Sequence, residues 1–146
     1  MSKLASTFFS KEEKQQIKRA IFDAENESSG EIRVHIENKC AKDVLDCASQ
    51  AFAQLKMHKT ELRNGVLFYF AIQSKKFAIL GDIGINQKVP ENFWDEIKEE
   101  MLEAFKNNDF VGGLSKGIIK AGQQLKEHFP HQKNDINELS DEISFG

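Results

Sequence analysis

The chain lacks any apolar run long enough to cross a bilayer as a helix. The run Val66 to Ile72 falls far short of the roughly 20 residues that a span needs. The first ten residues hold no long apolar core and no small-residue cleavage site, so neither a signal peptide nor a membrane anchor is expected. Basic clusters interleaved with aromatics are missing, and the formal net charge is -3, which argues against nucleic-acid binding. Only two cysteines occur, Cys40 and Cys47. No second pair or nearby histidine completes a zinc pattern. A disulfide between them is open on spacing, but the reading favoured is two reduced thiols in a cytosolic protein. No Gly-x-Ser-x-Gly, Cys-x5-Arg or P-loop pattern is found, and no Ser/His/Asp or Cys/His nucleophile arrangement can be argued.

What is present suits one soluble, cytoplasmic domain. Of 146 residues, 40% are hydrophobic, enough for a core, and Phe, used 12 times, dominates the aromatics. Ser10 and Glu13 have capping-box spacing, and Ile17, Ala20, Ile21 and Ala24 follow as one helical stripe. Ser29-Gly30 is read as its stop, with Gly30 in a left-handed position. Glu31 to Glu37 alternates as a half-buried strand, leaving His35 on the polar face as a surface histidine. A second helix covers Asp43 to Met57.

Val66 to Ile72 does not alternate, the pattern of a strand covered on both faces. A tight turn at Gln73 to Lys76 leads to a third strand, ending in the Gly81-Asp-Ile-Gly84 turn. Pro90 opens a third long helix to about Asn107. A last helix runs from about Val111 to His128, and Gly113, Gly117 and Gly122 imply unusually close packing along it. Residues 1–130 form the single domain, and 131–146 read as a flexible polar tail. The order α-β-α-β-β-α-α gives an α/β/α sandwich in three layers. Its small mixed sheet combines a right-handed parallel crossover with an antiparallel hairpin.

That topology brings distant acceptors to one sheet edge. Glu31 starts the first strand, Asn64 precedes the second, and Asp82 ends the antiparallel third. Asp109, at the corner between the last two helices, is a fourth candidate. Carboxylates and an amide oxygen are hard donors suited to calcium or magnesium. Each also has a plain structural role: strand-end charge for Glu31, turn residue for Asn64, turn cap onto Gly84 for Asp82, helix N-cap for Asp109.

Four segments in order resemble the TPM domain family: Ser29-Gly-Glu-Ile-Arg-Val-His-Ile36, Arg63-Asn-Gly-Val-Leu-Phe-Tyr69, Gly81-Asp-Ile-Gly-Ile85 and Phe105-Lys-Asn-Asn-Asp-Phe-Val-Gly-Gly113. The resemblance covers about Ser10 to Phe129 and looks like a short soluble bacterial branch. It implies an α/β/α sandwich, divalent-metal binding, and an acid-phosphatase activity ascribed to thylakoid-lumen relatives. Two departures touch the implied metal site. Arg63 stands where many members have Asp, and Asn86 replaces a carboxylate, while Asp82 is an extra acid.

Three functions are therefore expected, the second ranked below the first, while sequence barely separates the first from the third. The first is a calcium- or magnesium-binding domain using Glu31, Asn64, Asp82 and Asp109. The second is a metal-dependent phosphomonoester hydrolase acting on a phosphorylated small molecule, with Arg63 as the candidate phosphate contact and no nameable nucleophile. The third is a non-catalytic module for a protein partner. No membrane or nucleic-acid partner is expected.

Overall fold

The computed structural model describes residues 5–26, 28–130 and 143–145. It is a mixed α/β fold with one open four-stranded sheet in the order β3-β2-β1-β4, packed as an α/β/α sandwich. The strands are β1 (Glu31–Glu37), β2 (Gly65–Ala71), β3 (Lys76–Gly81) and β4 (Ser144–Phe145). The helices are α1 (Lys11–Glu25), α2 (Val44–Gln54), the short α3 (Ile83–Asn86), α4 (Phe93–Lys106) and α5 (Phe110–His128).

Local chemistry sets the helix starts. Both halves of the capping box form at α1: Ser10 Oγ accepts from the Glu13 amide, and Glu13 accepts from the Ser10 amide. Asp43 and Asp109 cap α2 and α5 through their carboxylates. Helix α1 ends at Asn26 in ordinary helical geometry, and no glycine among the described residues has positive φ. Gly30 is thus not a left-handed stop. A Cβ there would lie 2.5 Å from Leu125, so its role is to let α5 close over the start of β1. The glycine stripe of α5 does allow the close packing expected of it. A Cβ at Gly117 would meet Met101 Sδ at 2.7 Å, and one at Gly122 would meet Ala24 at 2.6 Å.

Strand pairing follows the expected topology. The crossover through α2 makes β1 and β2 parallel, with Glu31 opposite Gly65, and the hairpin pairs Ala71 with Lys76. Side chains then divide by parity. Ile32, Val34, Ile36, Val66 and Phe68 enter the larger core under α1, α4 and α5. Leu67, Tyr69, Ala71 and Ala78 enter the smaller core under α2. Fully buried Ile17 and Ile21 anchor α1 to the larger core, each contributing about 2 kcal/mol by removal from water.

Three further expectations require correction. Cys40 and Cys47 are joined in a disulfide, their Cα atoms 6.2 Å apart. Cys40 lies in the segment leading into α2 and Cys47 in its first turns, near enough to bridge. The cytosolic assignment loses the support of reduced thiols. His35 is buried, only 4% exposed. Its ring stacks on Tyr69, Nε2 meets Glu37 at 3.0 Å and Nδ1 meets Ser144 Oγ at 2.9 Å. The tail is not wholly outside the domain, because Ser144 and Phe145 pair in parallel with His35 and Ile36. The remainder of that expectation, residues 131–142 and 146, lies outside the described residues. No helix among the described residues is long and apolar enough to cross a membrane.

Candidate functional site

The amino-terminal ends of β1 and β2 and the end of β3 meet at one edge of the sheet. The Glu31 amide donates to the Asn64 carbonyl at 3.5 Å, and the Asp82 amide to the Gly65 carbonyl at 2.9 Å. Three polar residues far apart in sequence thus sit on adjoining rungs. All three are buried: Glu31 is 2% exposed, Asn64 1% and Asp82 7%. Two carboxylates and an amide at such burial need partners or a ligand, since an uncompensated buried charge is costly.

Asp82 has its partners. Arg63 Nε and Nη2 donate to its two carboxylate oxygens at 2.7 and 2.9 Å, a bidentate pair. The Ile83 amide adds a third bond at 2.8 Å and starts α3. The cap therefore falls on Ile83, not on Gly84. Hydrogen bonding to Asp82 raises the Arg63 pKa, so the guanidinium stays charged. Arg63 adopts φ 52, in the left-handed region that non-glycine residues seldom occupy. Its carbonyl accepts from the Gly84 amide at 2.8 Å, locking the 63 turn to α3.

Asn64 is fixed through Nδ2, which donates to the Ser29 carbonyl at 3.2 Å, so its Oδ1 remains as an acceptor. The loop that delivers Asn64 also carries Thr60, which is buried. Among the described residues its hydroxyl has no hydrogen-bond partner. Carboxylates and an amide oxygen at one sheet edge are hard donors of the kind that suit a divalent cation. Among the described residues, however, no group of three or more His, Cys, Asp or Glu could hold a metal by themselves.

Asp109 is not brought to this edge. Its Oδ1 accepts from the Gly112 amide at 2.9 Å, the plain N-cap role. Helix α5 runs 19 residues, about 28 Å at 1.5 Å per residue, from Asp109 towards Leu125 beside Gly30. Asn86 has a structural explanation. Its Nδ2 donates to the Gly81 carbonyl at 2.8 Å while its Oδ1 accepts from Trp94 Nε1 at 2.7 Å. A carboxylate could accept from Trp94 but could not donate to Gly81, so the amide is the side chain this joint requires.

From sequence alone, Arg63 and Asp82 take separate roles, phosphate contact and metal donor, and are not paired. Opposite charges converging at one strand end were the available signal.

Comparison with known proteins agrees with this architecture. The family model for the TPM domain matches residues 4–124. The NMR structure of the BA42 protein from the psychrophilic bacterium Bizionia argentinensis is 47% identical over 100% of both chains, with a TM-score of 0.90. The fold alone is shared with two more distant solution structures. The N-terminal domain of the cg2496 protein from Corynebacterium glutamicum is 16% identical, covering 82% of this chain and 76% of that one, at TM-score 0.65. The N-terminal domain of a P. gingivalis protein is 18% identical, covering 85% and 82%, at TM-score 0.69. No curated protein matches. On the length of the family match and the identity to BA42, the chain belongs to the TPM domain family.

Proposed function

We propose that this TPM domain binds a divalent cation, calcium or magnesium, at the edge formed by Glu31, Asn64 and Asp82. The observation that carries the reading is the burial of two carboxylates and an amide on adjoining rungs of one sheet edge. Asp109 is left out of the donor set, because its carboxylate caps α5 at the other end of that helix. Arg63 acts as an internal counter-ion. It holds Asp82 when no cation is bound, and its side chain, 47% exposed, has room to swing into solvent when one arrives. Binding at this edge is then a competition between a tethered monovalent cation and a free divalent one.

The test is a calcium and magnesium titration followed by backbone amide shifts. Saturable changes at residues 29–32, 63–66 and 81–84 are expected, and Glu31→Gln or Asp82→Asn should abolish them. Arg63→Asn is the sharper variant. Asn tolerates the left-handed backbone, and the substitution frees the Asp82 carboxylate, so affinity should rise about tenfold as one positive charge leaves the donor set. No shift at millimolar metal in either wild type or Arg63→Asn would refute the assignment.

The exposure of Arg63 supports a second reading, in which the same edge hydrolyses a phosphomonoester with Arg63 on a phosphate oxygen. Arg63 would first have to leave Asp82. Turnover of an aryl phosphate that needs added metal and disappears in Arg63→Asn would favour this reading over simple cation binding.

A further inference from the structure

At the opposite end of the sheet the structure holds a cavity of about 510 Å³ that no part of the cation site uses. Six phenylalanines line it: Phe8, Phe9, Phe70, Phe77, Phe105 and Phe110. Their rings form a continuous set of contacts, with centroids 4.9 Å apart for Phe8 and Phe9, and 5.2 Å apart both for Phe77 with Phe105 and for Phe105 with Phe110. The size falls in the range of roughly 300–1,000 Å³ typical of small-molecule sites. Its position is also that of a ligand site. Phe70 and Ala71 close β2, so the cavity sits at the carboxyl ends of the parallel pair β1 and β2, where open α/β sheets bind ligands.

The charge at its mouth has one sign. Lys75 and Lys76 are the charged residues of the lining, and Lys98 Nζ lies 5.5 Å from the centre of the Phe77 ring. The carboxylates of Glu13 and Asp109 belong to a separate cleft that shares Phe8, Phe9 and Phe110 with this one. Both accept bonds from backbone amides, of Ser10 and Gly112. Lys76 Nζ donates to the Lys42 carbonyl at 3.2 Å, whereas among the described residues Lys75 makes no side-chain hydrogen bond or ion pair. Lys75 is also held at φ 54 in the hairpin turn, where its amide donates to the Ile72 carbonyl. Glycine or asparagine is the favoured residue at such a turn position. A lysine there places an unpaired ammonium at the rim of an aromatic cavity, at the expense of backbone ease.

We propose that this cavity binds a medium-chain organic carboxylate of the fatty-acid type, its apolar body among the phenylalanines and its carboxylate at Lys75 and Lys76. The probe is decanoate, with decanol as the neutral match, in chelator-treated buffer so that metal soaps do not form. Saturable amide shifts at residues 70–77 and 102–110 are expected, with contacts from ligand methylenes to the Phe70 and Phe105 rings. Decanol should bind at least tenfold more weakly. Lys75→Gly separates binding from folding. It should weaken decanoate about tenfold, leave decanol unchanged and raise the melting temperature, because glycine takes the turn geometry freely. The absence of saturable shifts, equal binding of decanol and decanoate, or full affinity in Lys75→Gly would each overturn the proposal. Shifts confined to the Glu31, Asn64 and Asp82 edge would overturn it as well, and would leave the cation reading to stand on its own test.

Discussion

Tyr69 is the only tyrosine in the chain, so its titration can be read without ambiguity. It is fully buried, and its hydroxyl donates a hydrogen bond to Glu37. Burial first, and that bond second, raise its pKa well above the usual value. An unfolded tyrosine loses its proton near pH 10. Above that pH the unfolded chain gives up a proton that the folded chain keeps, so stability is full below about pH 10 and falls as pH rises further. Tyrosinate absorbance should therefore stay absent past pH 10 and appear together with loss of helical circular dichroism. An onset near pH 10 with the fold intact would show the hydroxyl to be free. Gly84 makes the second residue-level prediction. A Cβ there would lie 2.1 Å from the Leu62 carbonyl oxygen and 2.5 Å from that of Arg63, both backbone atoms that cannot rotate away. Gly84→Ala should cost about 2 kcal/mol or more in urea unfolding, since overpacking of this kind runs about 1–3 kcal/mol. It should also weaken the Arg63–Asp82 pair that the turn positions.

Among elements, α2 packs on the smaller core together with Met57 from the turn that follows it, and the disulfide ties its first turns to the loop that follows β1. That loop is also pinned to the β2–β3 turn: the Cys40 amide donates to Ser74 Oγ at 3.0 Å, and the Ser74 hydroxyl returns a bond to the Cys40 carbonyl at 3.3 Å. The bridge spans a sequence separation of 7, and closing so short a loop is worth about 2 kcal/mol in the chain-entropy account. Reduction with a dithiol should lower stability by about that amount and speed hydrogen exchange in the first turns of α2, leaving α4 and α5 protected. A double Cys40→Ser, Cys47→Ser variant should match the reduced protein and ignore the reductant. The elements themselves were largely legible in the sequence, because their signals are local. The run Val66 to Ile72, the alternation from Glu31 and the Ser10–Glu13 box each lie within one element. What stayed hidden depends on contacts between elements. Two residues of polar tail carry no period of their own, so β4 was invisible. The bridge depends on how the loop before α2 folds back. The candidate site was legible as a convergence, because strand direction fixes which ends meet. The Arg63–Asp82 pair was missed because the two charges were given separate roles.

For the whole molecule, the sheet order places β1 between β2 and the two-residue β4. Without β4, the backbone groups of β1 on that side would form an open sheet edge. Ser144 adds a side-chain latch. The Glu37 carboxylate only accepts, so His35 Nε2 carries a proton towards it, while Nδ1 and the Ser144 hydroxyl share the second bond. On the other face of the sheet, Ile143 packs against the larger core and Lys14 Nζ lies 5.2 Å from the centre of the Phe145 ring. Deleting residues 143–146 should therefore cost about 1–2 kcal/mol, from one neutral hydrogen bond and part of an isoleucine's burial. Amide exchange should quicken at His35 and Ile36 while the β2–β3 hairpin stays protected. Ser144→Ala isolates the latch from the strand: the His35 Nδ1 shift should change while the β1 amides keep most of their protection. Unchanged exchange in the deletion would mean that β4 contributes no closure of the sheet, and that the burial of His35 rests on β1 and β2 alone.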